Sequence, residues 1–445
     1  MKHITFILML CLSLPLTAQK RVYLNAGHGS WGPDDRPMPT IPYPMLESTG
    51  RPDTCGFYES NTNLWKVLHC GTYLKETGDY KIRYSRTKNG PFPYVAGASN
   101  ATRYNRELSV IAAEVDSWGT DLFLSVHSNA ASEGSTANYP LFLYRGLDSE
   151  NAVPRSRAMC EAIWPYHVEA MKAGFEPMSY YQTSMNIRGD RSFYNYTWQN
   201  DKGYYGYLGV LMHGCPGFLA EGYFHTYQPS RHRALNQDWC CMEGRRYARG
   251  IISYFGTKSD PHGCIMGAVR TKSKTTDNLP LYTYASGTDD QYMPLNGATV
   301  RLKNSKREVI DIYQVDNNYN GIFVFWDLLP GTYYVDLYCP GYATQQSATS
   351  TTKFTVKANE TAYKTFYMIT GSTKDLIGPT TPTGISDITP DADEEDLAER
   401  QNVRIYDTTG KLVLTTTRNR IDSEPLPAGV YVMQSNGQSV KYSRR

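Results

Sequence analysis

The chain has 445 residues, a formal net charge of +2, 13% aromatic residues and nine cysteines. This length exceeds one ordinary domain, so we expect at least two folded domains with tails. The near-neutral charge gives no indication of a nucleic-acid partner, which would favour a strongly basic surface.

Residues 1–18 have the pattern of a secretory signal peptide. Lys2 precedes an apolar run from Ile4 to Leu14, and cleavage after Ala18 would leave Gln19 first. No later stretch approaches the roughly 18 apolar residues of a membrane span. We therefore expect an exported protein without a membrane span.

The cysteines leave two possibilities open. Export permits disulfides, but buried free thiols fit the sequence equally well. No Cys-x-x-Cys spacing occurs, so a thiolate metal site is not expected. Cys11 lies in the signal segment, and eight cysteines remain: Cys55, Cys70, Cys160, Cys215, Cys240, Cys241, Cys264 and Cys339.

Residues 20–257 alternate strand-like and helix-like patterns. The pattern predicts an α/β domain with a central twisted sheet and helices on both faces. The predicted strands are 21–24, 80–84, 121–126 and 217–221, and the predicted helices are 59–76, 103–118, 155–173 and 231–254. The Pro-rich segment 33–53 and the Tyr-rich segment 177–207 are predicted loops, either facing a substrate or ordinary surface.

Residues 260–371 show short alternating strands separated by turn residues, which is typical of a β-sandwich. The segments 294–300, 320–323 and 329–333 resemble carboxypeptidase-regulatory-like β-sandwiches. No ionisable cluster stands out here, so we expect a structural or docking module. The predicted strands are 264–270, 298–302, 321–326, 331–338, 353–356 and 362–368.

A linker at 372–400, with an acidic run at 391–396, precedes a small all-β domain at 401–445. The segments 403–411 and 426–432 resemble the C-terminal sorting domain of type IX secretion substrates in the Bacteroidota. That resemblance implies the type IX secretion machinery as a partner. It implies transit through the periplasm to the cell surface or the medium. A small stalk-like β domain is the alternative.

Four segments place chemically active side chains at the ends of predicted strands or at the start of a helix. His28 follows the strand-like apolar run at 22–24, and His127 directly follows the apolar run at 122–126. Glu59 stands just before a helical pattern. Two imidazoles and one carboxylate make a catalytic zinc set with one open position for water. Glu221 supplies a further carboxylate, suited to a general base.

The order of these four segments resembles the zinc-dependent N-acetylmuramoyl-L-alanine amidase family over roughly residues 20–257. The resemblance implies an enzyme that cleaves the amide between the muramic acid lactyl group and L-alanine, with peptidoglycan or muropeptides as substrate. It implies one Zn²⁺ per chain on His28, Glu59 and His127, with Glu221 as general base.

Three further residues are candidates for supporting the ligands or contacting substrate: Asn25, Arg86 and Asn129. Asn25 stands where the resembled family usually has an acidic residue, so the charge near the first histidine is smaller. Two assignments have plain structural alternatives. Glu59 would also be a favourable acid in the first turn of its helix, and Glu221 would also serve as an ion-pair partner of Arg231 or Arg233.

The sequence disfavours other classes of function. A zinc carboxypeptidase needs a His-x-x-Glu ligand pair, which the sequence lacks, and there is no Gly-x-Ser-x-Gly elbow of a serine hydrolase. A catalytically inactive wall-binding surface protein is disfavoured by the intact ligand and base residues. His225 is ambiguous, whereas a structural role is expected for His69, His167, His213, His232 and His262.

Overall fold

The computed structural model describes most of the chain but not all of it. The predicted signal segment and nearly all of the predicted linker lie outside the described residues. The described residues are 19–29, 35–41, 53–90, 104–170, 186–195, 206–257, 261–344, 352–372, 374, 402–406, 412–417, 429–435 and 438–444.

The N-terminal part is built on a six-stranded sheet. Its spatial order is β4-β1-β5-β8-β6-β7, and every neighbouring pair is parallel except β6 with β8. A short antiparallel ribbon of β2 and β3 lies outside this sheet. The strands are β1 Lys20–Ala26, β2 Met38–Thr40, β3 Asp53–Phe57, β4 Tyr80–Tyr84, β5 Leu122–Asn129, β6 Leu141–Tyr144, β7 Ile187–Gly189 and β8 Gly217–Phe224.

Helices cover both faces of this sheet, as the sequence pattern predicted. The helices are α1 Glu59–Glu76, α2 Leu108–Ser117, α3 Ser156–Ala170, α4 Asp190–Phe193, α5 Gln228–Ala234 and α6 Gln237–Phe255, with short 3₁₀ turns at Gly209–Leu211, Thr276–Asn278 and Asp289–Gln291. Helices α1, α3 and α6 share one apolar core with residues such as Val22 and Leu124. Helix α2 and the turn Gly209–Leu211 pack on the opposite face with Tyr23 and Phe123. Successive side chains of β1 and β5 point to opposite faces of the sheet, so these strands contribute to both cores.

Two predicted helices differ from the structure. The predicted helix 231–254 is two helices, α5 and α6, because the side chain of Asn236 accepts a hydrogen bond from the Trp239 backbone N–H at 3.0 Å and caps α6. The predicted helix 103–118 begins only at Leu108. Strand β6 was not predicted, and the two predicted loops contain regular elements: β2 lies within 33–53, and β7 and α4 lie within 177–207.

The following β-rich part contains two four-stranded sheets. In one, the long strand β9 lies between β10 and β13 and also pairs with β16, and in the other the order is β12-β11-β14-β15. Strands β10 and β12 were not predicted. The strands are β9 Gly263–Thr275, β10 Tyr292–Pro294, β11 Thr299–Lys303, β12 Val309–Gln314, β13 Ile322–Leu328, β14 Gly331–Tyr338, β15 Lys353–Val356 and β16 Thr361–Tyr367.

The α/β part and the β-rich part share one hydrophobic core. Trp239 and Cys240 of α6 lie in the same cluster of buried residues as Val300 and Phe325 of the β-rich sheets. Because this apolar surface is removed from water only when the two parts are together, their association contributes directly to folding stability.

A buried charge cluster also crosses this contact, although no ionisable cluster in the β-rich part stood out from the sequence. The fully buried carboxylate of Asp290 accepts hydrogen bonds from Arg233, from Arg270 at 2.9 Å and from the Tyr227 hydroxyl at 2.9 Å. Arg233 and Tyr227 belong to the α/β part. The cluster therefore fixes the end of β8 and helix α5 against the β-rich sheets.

The C-terminal residues form a separate four-stranded antiparallel sheet, in the order β18-β17-β19-β20. Its strands are β17 Asn402–Tyr406, β18 Leu412–Thr417, β19 Gly429–Ser435 and β20 Gln438–Arg444. Among the described residues, no helix combines the length and hydropathy needed to cross a membrane. Seven cysteines are buried free thiols rather than disulfides: Cys70, Cys160, Cys215, Cys240, Cys241, Cys264 and Cys339.

Replacing the buried carboxylate at the centre of the charge cluster tests how strongly the two parts are joined. The substitution Asp290→Ala leaves two buried guanidinium groups without their anion, which should lower the free energy of unfolding by about 3–5 kcal/mol. Urea unfolding measures the change.

The matched control is Asp148→Ala, because Asp148 pairs with Arg188 through half-exposed side chains. Exposed pairs contribute about 0–1 kcal/mol. Equal losses in the two variants would contradict the role assigned to Asp290.

Candidate active site

The first candidate ligand, His28, lies just beyond the end of β1. Its backbone adopts a left-handed conformation with φ 61°. The preceding Gly27 is tightly packed, and a Cβ atom placed there would lie 2.1 Å from Cε1 of His127. Only glycine therefore lets the chain pass close enough to bring the two imidazoles together.

The second candidate ligand, Glu59, is the first residue of α1 and is almost fully buried. One of its carboxylate oxygens, Oε1, accepts a hydrogen bond from the Ser128 backbone N–H at 2.9 Å and from Asn63 Nδ2 at 3.2 Å. A negative charge at a helix N-terminus is also favoured by the helix dipole. Glu59 can therefore stabilise the start of α1 and also serve as a metal ligand.

The structure brings His28, Glu59 and His127 together. Nε2 of His28 lies 3.2 Å from Glu59 Oε2, and Nδ1 of His127 lies 3.2 Å from Glu59 Oε1. One ligand atom from each residue lies within 4.8 Å of the other two. Both imidazoles keep some exposure while the carboxylate is covered, so the cluster opens toward solvent on the histidine side.

The protonation states around the cluster suit metal ligation. Burial alone would raise the pKa of Glu59, but His28 and His127 outweigh it and hold that pKa well below its ordinary value. Burial lowers the pKa of His127, against the opposing influence of Glu59. The carboxylate is therefore ionised and the imidazole of His127 neutral near pH 7, which are the forms that bind metals.

The spacing of these atoms also fits a tetrahedral ion. Two ligand atoms bound at about 2.0–2.1 Å to a tetrahedral Zn²⁺ lie about 3.3 Å apart. The two measured nitrogen–oxygen distances of 3.2 Å agree with that value. Nitrogen and oxygen donors in a set of three leave one coordination position open, as in catalytic zinc sites.

Glu221 lies directly beside His127 in the sheet. The register of β5 and β8 pairs these two residues, so their side chains leave the sheet on the same face. Burial and the neighbouring charge of Glu59 raise the pKa of Glu221, while His28, Lys66 and Arg36 oppose that rise. The Oε2 atom of Glu221 is buried without a hydrogen-bond partner among the described residues.

The alternative ion pairs for Glu221 are not formed. Arg231 donates instead to backbone carbonyls, among them His225 O at 2.8 Å and Pro39 O at 2.6 Å. Arg233 pairs with Asp290. Glu221 therefore keeps its carboxylate available beside the histidine–glutamate cluster.

Arg86 organises the backbone around the first histidine. Its guanidinium group donates to Ala26 O at 3.1 Å, to Gly27 O at 2.9 Å and to Ser60 O at 3.0 Å. These bonds tie the end of β1 to the first turn of α1, which carries Glu59. The geometry supports a positioning role.

The two candidate asparagines make internal contacts. Asn25 Nδ2 donates to Ser125 Oγ at 2.8 Å, which joins β1 to β5 beneath the cluster. Asn129 Oδ1 accepts from the Ala130 backbone N–H at 2.8 Å, and its carbonyl accepts from the His225 backbone N–H at 2.9 Å. Neither contact reaches the three-residue cluster, so both act on the strands around it.

One residue near the site, Lys66, was not singled out from the sequence. Lys66 is fully buried, with Nζ 3.1 Å from Glu243 Oε2 and 3.4 Å from the His127 carbonyl oxygen. The sequence pattern could have indicated this residue, because Lys66 lies at helical spacing from Glu59 and Asn63 on the inward face of α1.

His225, left ambiguous by the sequence, lies under the site. Its Nδ1 is 3.0 Å from Ser128 Oγ, and its ring stacks on Phe57 with centroids 5.1 Å apart. Burial lowers its pKa to about 4. Among the histidines expected to be structural, burial also lowers the pKa of His69 to about 3 and of His213 and His232 to about 4.

Comparison with known families identifies two segments of the chain. Residues 22–186 match the N-acetylmuramoyl-L-alanine amidase family model, and residues 385–445 match the secretion system C-terminal sorting domain. The chain therefore contains an N-acetylmuramoyl-L-alanine amidase domain and is a peptidoglycan hydrolase. It carries, at its other end, a sorting domain that directs export through type IX secretion. The amidase match includes His28, Glu59 and His127 and ends before Glu221.

Solved amidase structures overlap the same part of the chain at low identity. An N-acetylmuramoyl-L-alanine amidase from Clostridium difficile 630 is 20% identical, with a TM-score of 0.36, over 54% of this chain and 100% of its own. The catalytic domain of CwlV from Bacillus (Paenibacillus) polymyxa is 16% identical, with a TM-score of 0.36, over 54% and 100%. AmiC2 of Nostoc punctiforme is 16% identical, with a TM-score of 0.36, over 53% and 97%. No curated protein matched the chain.

Proposed function

We propose that the enzyme is a zinc-dependent amidase that holds one Zn²⁺ per chain on His28, Glu59 and His127. The observation that carries this proposal is the cluster of one carboxylate and two imidazoles, with 3.2 Å between each ligand pair that includes Glu59. The neutral state of His127 and the ionised state of Glu59 support the same assignment. A bound zinc ion at this position would polarise the scissile carbonyl and lower the pKa of water.

Glu221 is the general base in this proposal. The pairing of His127 with Glu221 across β5 and β8 supports its position beside the reacting carbonyl. Its raised pKa favours both taking and returning a proton. Glu221 takes a proton from water as the water oxygen attacks the lactyl carbonyl. It then gives that proton to the L-alanine nitrogen as the carbon–nitrogen bond breaks.

Arg86 and Lys66 hold the backbone around the proposed metal ligands in place. Arg86 holds the Gly27 carbonyl and the Ser60 carbonyl at 2.9 and 3.0 Å, so the loop of His28 and the start of α1 keep a fixed distance. Lys66 fixes the His127 carbonyl from inside the protein. Preorganised ligands of this kind let the site bind a metal without rearrangement.

Two substitutions, at paired positions of β8 and β5, distinguish the proposed general base from a proposed metal ligand. Glu221→Gln keeps the shape of the side chain but removes its basic carboxylate, so zinc should be retained while muropeptide hydrolysis falls by about 10²–10⁴-fold. His127→Ala should lose zinc and activity together. Elemental analysis and mass spectrometry of digested peptidoglycan measure the two quantities. Loss of zinc in Glu221→Gln would show that Glu221 is a ligand and would overturn this mechanism.

We also propose that residues 401–445 are needed for passage through the outer membrane and are dispensable for catalysis. The match of 385–445 to a sorting domain and the separate sheet of β17 to β20 support this. Deletion of 401–445 should leave the protein inside the cell envelope with its amidase activity intact. Fractionation with an activity assay measures both properties.

The matched control for the deletion is full-length Glu221→Gln, which should be exported but inactive. Normal export of the truncated protein would contradict the sorting role. Loss of activity in the purified truncated protein would contradict the boundary at residue 401.

A further inference from the structure

Residues 35–41, called the strap below, cross from the candidate metal centre to the β-rich part. At its first end, the buried carboxylate of Asp35 accepts hydrogen bonds from the backbone N–H and the hydroxyl of Ser60. Ser60 follows Glu59 directly in α1. The strap therefore begins within one residue of the ligand cluster, and its position there is fixed by two hydrogen bonds.

The other end of the strap is held by α5 and by the β-rich part. Arg231 Nη1 donates to Pro39 O at 2.6 Å, and the Ile41 backbone N–H donates to His232 Nε2 at 3.4 Å. Ile41 is buried in a small apolar cluster with residues of the β-rich part, which are Leu279, Tyr282 and Tyr319. The strap is thus fixed at both ends.

Arg36 lies between these two anchors and is exposed. Its backbone is left-handed, with φ 49°, a conformation that costs energy for a residue other than glycine. Arg36 forms no ion pair with any residue that the structure describes. Its charge lowers the pKa of Glu221 against the larger effect of burial, and it adds to the effect of burial in lowering the pKa of His225.

The other two groups whose charges lower the pKa of Glu221, His28 and Lys66, already have partners. His28 belongs to the ligand cluster, and Lys66 is buried and paired with Glu243 at 3.1 Å. Arg36 is the most exposed of these three. A planar guanidinium group is suited to a carboxylate.

A pair of tyrosines lies on the same face of the sheet as Glu221. Tyr194 and Tyr207 stack with ring centroids 4.4 Å apart, and both are partly exposed. Their neighbours Phe193 and Leu208 pack with Leu141 and Leu219.

The strand register places this tyrosine pair near the base. Leu141 is directly opposite Glu221 in the sheet. The charge of Arg36 also acts on Tyr194, where it opposes the larger effect of burial on the pKa. A substrate over Glu221 would therefore lie near the tyrosine pair.

We propose that Arg36 is a specificity-determining residue that binds a free carboxylate of the stem peptide, on the residue that follows the L-alanine released by the enzyme. This inference rests on the proposed amidase function. Because the strap is fixed on both sides of Arg36, the carboxylate is bound without first ordering this segment. The enzyme then prefers stem peptides that carry a free carboxylate at that residue over stem peptides that carry a carboxamide.

The test uses two muropeptides that differ only in whether this group is a carboxylate or a carboxamide. The wild-type enzyme should hydrolyse the acid with a kcat/KM about tenfold to a hundredfold higher, the usual range for a hydrogen bond to a charged group. Arg36→Asn should remove the preference, mainly through a higher KM for the acid. Asparagine suits this test because it tolerates the left-handed backbone. Arg36→Lys should keep part of the preference.

The matched control is Arg307→Asn, which makes the same change at another left-handed arginine, with φ 69°, in the β-rich part. This control should keep the wild-type preference. Equal rates of the wild-type enzyme on both substrates, or an unchanged preference in Arg36→Asn, would overturn the inference. Failure of the wild-type enzyme to hydrolyse either substrate would instead overturn the proposed amidase function.

Discussion

The burial of an ionised carboxylate between two imidazoles is the constraint on which the site depends. Glu59 has a side-chain exposure of 3%, and removing an isolated charge from water to this extent would cost several kcal/mol. The N-terminus of α1, the Ser128 backbone N–H and the imidazoles of His28 and His127 offset that cost. The same contacts define the position of the loop after β1, because Gly27 must pass against the ring of His127.

A second constraint joins the site to the β-rich part. Helix α5 contacts the strap through Arg231 and His232, and His232 also lies 2.9 Å from the Asn318 carbonyl oxygen of the β-rich part. Trp239 of the next helix lies in a core shared by both parts. The β-rich part is therefore better regarded as support for the catalytic part than as an appended module.

The local elements were predicted well where the sequence pattern was long and periodic. Helix α1 and strands β4, β14 and β15 have the predicted bounds, because their apolar spacing and turn residues are local features. The break between α5 and α6 was missed because the capping of Trp239 by Asn236 was not recognised inside an otherwise helical pattern.

The candidate ligands were predicted from the sequence because each stands at the end or the start of a regular element. The supporting contacts were not, because they join residues far apart in the chain. Asp290 and Arg233 are an example, since nothing in either segment indicates the other. The strap is another, because a Pro-rich segment without periodicity gives no sign that Asp35 meets Ser60 or that Ile41 is buried in the β-rich part.

Anomalous diffraction at the zinc absorption edge, from crystals of the full enzyme grown with zinc, tests the central claim most directly. The account predicts one strong peak per chain within bonding distance of His28 Nε2, a Glu59 carboxylate oxygen and His127 Nδ1, with Glu221 outside bonding distance. A peak bonded to Glu221 in place of Glu59, or no peak among these residues, would contradict it.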